Sequence, residues 1–141
     1  MPNVLLADNH AGIRRCVRNI LESREGWEVC AEAATGRQAV ELTAATRPDI
    51  VVLDLSMPEL NGLQAAEQIH ERFPEILMVI LTGHDTPELS DVSKAVGVRI
   101  CISKANLYEL DETLDTVWQQ VQKHPKETRP VFRNSAVPAK A

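Results

Sequence analysis

The sequence predicts an α/β fold, a doubly wound five-stranded parallel sheet with five helices. Three observations predict it. Five short apolar runs alternate with five segments of helical periodicity, and strands separated by helices make parallel sheets. Residues 50–53 and 76–81 are unbroken aliphatic runs, as expected of strands covered on both faces. The links between segments are short, which suits right-handed crossovers within one domain.

The first strand, residues 3–8 (NVLLAD), ends in a carboxylate. Ile13, Cys16, Val17, Ile20 and Leu21 then recur at helical spacing, which assigns Cys16 to the core with its neighbours. Residues 27–33 (WEVCAEA) read as the second strand. Thr35 is a candidate cap for an amphipathic helix that Pro48 stops. Residues 49–54 (DIVVLD) form the third strand and again deliver a carboxylate, Asp54. A helix over 62–73 ends before Pro74, and 76–82 (ILMVILT) is the fourth strand. Thr86 as cap with Pro87 at the first helical position opens the fourth helix. Residues 98–103 (VRICIS) are the fifth strand, and a fifth helix over 106–122 takes Asn106 as its cap.

Composition narrows the function classes. The chain of 141 residues suits one domain, and its 44% apolar and 4% aromatic content implies an aliphatic core. No run reaches the roughly 18 apolar residues of a membrane span, and with no basic n-region after Met1 no signal peptide is expected. Cys16, Cys30 and Cys101 are odd in number and lack metal-ligand spacing, against a disulfide framework or a zinc site. A cytoplasmic, reducing setting is expected. Residues 123–141 hold five Lys/Arg, one Glu and three prolines, and read as a flexible basic tail. Residues 1–122 hold ten basic and nineteen acidic residues. Such an acidic body is a poor nucleic-acid binder, so no direct nucleic-acid binding is expected.

Doubly wound sheets build their sites at the carboxyl ends of the strands, at the switch point. In the flavodoxin-like strand order 2-1-3-4-5, the ends of strands one, three, four and five converge. They deliver Asp8 and Asn9, Asp54, Thr82, and Ser103 with Lys104. Two carboxylates, an amide, hydroxyls and an ammonium suit phosphoryl transfer. A carboxylate can be the nucleophile, Mg²⁺ takes oxygen ligands, and the rest is positioning and charge neutralisation.

Over roughly residues 3–122 the chain resembles the receiver domain of two-component response regulators. The matching pieces are LLADNH, IVVLDLSMPELNG, VILTG and ISKAN, in order. The resemblance implies that Asp54 accepts a phosphoryl group from a histidine kinase or phosphotransfer protein. It implies a Mg²⁺ site of Asp8, Asp54, Asn9 and the backbone at Ser56, with Thr82 and Lys104 as switch hydroxyl and phosphate-binding lysine. The chain is expected to be a phosphoacceptor rather than an enzyme. The ADNH opening is similar to receivers that precede helix-turn-helix output domains, yet no such domain is expected after residue 122. Output is then expected through the face of helix four, strand five and helix five, onto a downstream protein or a second copy in a homodimer.

Four positions depart from the pattern. Asn9 stands where a second acid is usual, which removes a charge from the metal site. Gly83 follows Thr82 where Ala or Ser is common, Cys101 replaces a switch aromatic, and Ala105 follows the lysine. Asn9 and Cys101 motivate a second reading, a pseudo-receiver that binds partners without phosphorylation. A hydrolase using Asp54 ranks lower, because Ser56 stands where such enzymes carry a second Asp. His10, His70, His84 and His124 lack ligand spacing and read as solvated or packing residues.

Overall fold

The computed structural model describes residues 2–84 and 86–123. The elements run β1 (Asn3–Ala7), α1 (Ala11–Glu22), β2 (Glu28–Ala33), α2 (Gly36–Thr46) and β3 (Ile50–Asp54). They continue with α3 (Gly62–Arg72), β4 (Leu77–Thr82), α4 (Pro87–Ala95), β5 (Ile100–Ser103), a 3-10 turn (Lys104–Glu109) and α5 (Leu110–Lys123). All five strands are parallel, in the order β2-β1-β3-β4-β5, so the predicted topology is the observed one. No described helix is long and apolar enough to cross a membrane. The basic segment beyond residue 123 and His124 lie outside the described residues.

The sheet separates two aliphatic cores. Val4, Leu6, Ile50, Val52, Val79 and Leu81 pack with Val17 and Leu21 of α1 and Leu110, Leu114 and Val117 of α5. Leu5, Val51, Leu53, Met78 and Ile80 point the other way, onto Ala39 and Val40 of α2 and Ala65, Ala66 and Ile69 of α3. Alternation along each strand therefore feeds both layers, which is why β3 and β4 are buried at every position.

Local signals set most boundaries. The Thr35 and Thr86 hydroxyls accept from the backbone N–H of Gln38 and Leu89, as capping threonines do. Asn61 and Gln64 form a capping box at the start of α3, a signal the N-x-x-Q spacing carries. Two expectations fail. Cys16 is exposed while Val17 and Leu21 are buried, because the five-residue stripe is wider than the strip α1 presents to the sheet. Asn106 is not a cap: it lies inside the 3-10 turn with φ −112° and ψ 27°, and α5 begins at Leu110. The Ser103 hydroxyl caps that turn by accepting from Ala105 N–H.

One close approach ties α2 to the loop that follows β3. A Cβ at Gly36 would overlap the Leu60 carbonyl, and Gly36 N–H reaches the Pro58 carbonyl at 3.3 Å. Arg37 adds an ion pair with Glu59 at 3.7 Å. The start of α2 is thus seated on the loop between β3 and α3. Gly36→Ala should lower stability by about 1–3 kcal/mol, the usual cost of overpacking, read as a fall in the urea midpoint. An unchanged midpoint would contradict the close packing.

Candidate functional site

Strand register assembles the site. Ala7 pairs with Leu53, Asp54 with Leu81, and Thr82 with Ser103. Asp8, Asp54, Thr82 and Lys104 therefore leave one edge of the sheet at neighbouring positions. Asp8 and Asp54 continue the side of Val4, Leu6, Ile50 and Val52, toward α1 and α5, whereas Thr82 follows the side of Met78 and Ile80. Asp8, Asp54 and Thr82 are all buried, at 2–3% exposure.

Burial makes the charges decisive. Lys104 Nζ lies 2.8 Å from Asp54 Oδ1 and 3.2 Å from Asp8 Oδ2. One ammonium thus serves two carboxylates. The second oxygen of Asp54, Oδ2, is buried and has no hydrogen-bond partner. Asp8 Oδ2 meets the ammonium without hydrogen-bond geometry. Burial pushes the Asp54 carboxyl above its usual range, and the Asp8 charge adds to that push while Lys104 opposes it. Burial also disfavours the charged lysine, but Asp54 and Asp8 outweigh it and hold Lys104 above its usual range. Two buried acids share one cation, so the cluster favours a further positive charge.

Asp8 is fixed from several sides. Its Oδ1 accepts the backbone N–H of His10 at 2.8 Å, and its backbone N–H donates to Ala33 at 3.0 Å. Arg14 of α1 donates to the Asp8 carbonyl and to Glu32 of β2. Burial would raise the Glu32 carboxyl, but hydrogen bonds from Arg18 and Arg14 and their charges hold it below its usual range. Strand two thus does contribute to the site, through Glu32, which orients Arg14 and with it the loop after β1.

The other expected residues are placed as follows. The Thr82 hydroxyl accepts from His84 N–H at 3.1 Å and donates to the His84 carbonyl at 3.2 Å. Asn9 and Ser56 are exposed, beside Asp8 and two residues past Asp54 respectively. Gly83 is exposed, with open space where a Cβ would stand. Cys101 is half-buried, and its thiol lies 3.2 Å from the hydroxyl of buried Ser93 on α4. His10 is exposed, in line with the solvated reading, but it is not isolated: its Nδ1 is 3.1 Å from Asp8 Oδ1, and Asp8, His10 and Asp54 offer ligand atoms within 4.8 Å of one another. The donor set of buried carboxylates with an unpartnered oxygen fits a hard divalent cation.

Removing the ammonium leaves two buried acids facing each other. Lys104→Ala should cost about 2–4 kcal/mol, discounted from the range for a fully buried pair because Lys104 keeps some contact with solvent. Millimolar Mg²⁺ should restore more of the thermal midpoint in this variant than in wild type. Equal midpoints without Mg²⁺ would refute the shared-cation description.

The model of the response regulator receiver domain matches residues 4–115. The response regulator UvrY of Escherichia coli O157:H7 is 39% identical over 104 residues, 74% of this chain and 48% of that protein. The uncharacterized transcriptional regulatory protein YhcZ of Bacillus subtilis is 36% identical over 85 residues, 60% of this chain and 40% of its own length. The chain thus spans about half or less of the length of these relatives. The crystal structure of a LuxR-family two-component response regulator from Aurantimonas sp. SI85-9A1 superposes with a TM-score of 0.81 at 28% identity, covering 85% of this chain and 86% of that one. The family model spans all five strands and the Asp8–Asp54–Lys104 cluster, and the chain belongs to the response regulator receiver domain family.

Proposed function

We propose that the chain is a phosphorylation-operated switch that accepts a phosphoryl group on Asp54 from a histidine kinase or phosphotransfer protein. The observation that carries this reading is the buried, unpartnered Oδ2 of Asp54 beside an ammonium that already holds Oδ1. A carboxylate oxygen of Asp54 attacks the phosphorus of a phosphohistidine. The P–N bond breaks, its electron pair leaves with the imidazole, and an acyl phosphate remains on Asp54. Asp8, Asp54, Asn9 and the Ser56 carbonyl would hold Mg²⁺. Bound there, the ion would neutralise charge on the phosphoryl oxygens. Lys104 turns from Asp54 Oδ1 to a phosphoryl oxygen. The chain is on this reading a phosphoacceptor and not an enzyme.

The signal leaves through Thr82. When its hydroxyl turns to the phosphoryl group, it gives up both bonds to His84, and the segment leading into α4 is released. Cys101 cannot swing between buried and exposed positions as a ring would, and its thiol instead joins β5 to Ser93 of α4. The output face is therefore α4, β5 and α5, with exposed apolar Val92 on α4 and Tyr108 in the 3-10 turn that leads into α5. Arg24 already engages Asp111 and Asp115. Exposed Glu109 and Glu112 are left to meet a basic partner protein or a second copy of the chain.

Intact mass after incubation with Mg²⁺ and acetyl phosphate should rise by one phosphoryl group in wild type and not in Asp54→Ala. A phosphate on another residue, with Asp54 free, would overturn the assignment. Asn9 should make the reaction demanding in Mg²⁺, since an amide replaces a charged ligand. Asn9→Asp should tighten Mg²⁺ binding by about 1–2 kcal/mol at the effective dielectric of such a cleft, or about tenfold in Kd. Equal Kd values in a calorimetric titration would refute the charge argument. If neither protein is phosphorylated at saturating Mg²⁺ and donor, the phosphorylation-independent binding module motivated by Asn9 and Cys101 takes its place.

A further inference from the structure

We propose that His10 is a nitrogen ligand that gives this cation site a preference for a borderline transition metal such as Zn²⁺ over Mg²⁺. The inference rests on the reading of Asp8 and Asp54 as a cation site. It starts from position: Asp8, His10 and Asp54 present ligand atoms within 4.8 Å of one another. An acidic pair alone is weak ground, but Asp54, a member of the cluster, is buried and its Oδ2 is unpartnered.

The placement of His10 is built. Its backbone N–H donates to Asp8 Oδ1 at 2.8 Å, which ties the start of α1 to the carboxylate. Its ring Nδ1 stands 3.1 Å from the same oxygen. The ring is 64% exposed, so it can reorient toward an ion held by the two acids, exchanging one hydrogen bond for a metal bond. His84, the nearest other histidine in sequence to a site residue, is outside this cluster.

Ligand chemistry then decides the preference. Mg²⁺ favours oxygen donors and parts reluctantly with water. Imidazole suits Zn²⁺ and its neighbours. With Asn9 the cluster offers two carboxylates rather than three at these positions. The site gives up part of the charge that serves Mg²⁺ and keeps the nitrogen that serves Zn²⁺. The ratio of Zn²⁺ to Mg²⁺ affinity is therefore higher than the acids alone would set.

The test is calorimetric titration of tag-free protein with Zn²⁺ and with Mg²⁺, for wild type, His10→Ala and Asp54→Asn. Loss of a ligand should cost no less than loss of a ligand's support, so the Zn²⁺-to-Mg²⁺ affinity ratio should fall at least about tenfold in His10→Ala. Asp54→Asn should weaken both metals. In nitrogen NMR of wild type, the His10 Nδ1 signal should shift with Zn²⁺. An unchanged ratio in His10→Ala, or a silent Nδ1, overturns the proposal while Mg²⁺-dependent phosphorylation stands. Zn²⁺ binding that survives in Asp54→Asn at wild-type affinity overturns it as well. Loss of phosphorylation in wild type together with His10-dependent Zn²⁺ binding would instead support this site and remove the phosphoacceptor reading.

Discussion

The arrangement of the site depends on one ammonium shared by two buried carboxylates. Lys104 is 2.8 Å from Asp54 and 3.2 Å from Asp8, and both acids are nearly sealed from water. Either acid alone with Lys104 would be a neutral pair. Together the three leave one negative charge in excess, in a place where charge is costly. Burial, with the Asp8 charge added, raises Asp54; the two acids raise Lys104; and Asp54 Oδ2 is left unpartnered. A structural ion pair has no use for the second acid, whereas the proposed cation and phosphoryl group would.

The scaffold exists to hold these three side chains still. β3 and β4 are buried at every residue and lie between two helical layers, so the position of Asp54 is set by packing on both faces. The parallel registers then fix Asp8 on one side and Lys104 on the other. Loops complete the job through backbone contacts. Gly36 and Gly62 allow α2 and α3 to press against the loop after β3, where a Cβ would overlap the carbonyls of Leu60 and Asp54. At the rim, the His10 ring is largely exposed and Lys104 keeps some contact with solvent.

Much of this was legible in the sequence. A continuous aliphatic strand that ends in Asp54, followed by Met57-Pro58 and Gly62, carries both the strand and its exit loop. The caps at Thr35 and Thr86 were readable from residue type and spacing alone. The convergence of Lys104 and Asp54 on one site was readable too, once the strand order 2-1-3-4-5 was assumed. His10 was not, because it lies past the end of β1, where the direction of a side chain depends on the loop and not on a period. Cys16 was misassigned because a helical stripe of five apolar residues does not say which of them meets the sheet. The start of α5 was misplaced because Asn106 is as good a cap by type as Ser103, and only the 3-10 turn distinguishes them.

The shared cation can be tested directly by following the side-chain carboxyl carbon of Asp54 by NMR as pH is varied in metal-free protein. The account predicts that Asp54 titrates above the ordinary carboxylate range, because burial and Asp8 outweigh the help of Lys104. Its ionised form then weakens the fold above that pH, and the penalty vanishes as pH falls below the unfolded value. Added Mg²⁺ should draw the titration back down. An Asp54 that titrates in the ordinary range and ignores Mg²⁺ would contradict the account at its centre.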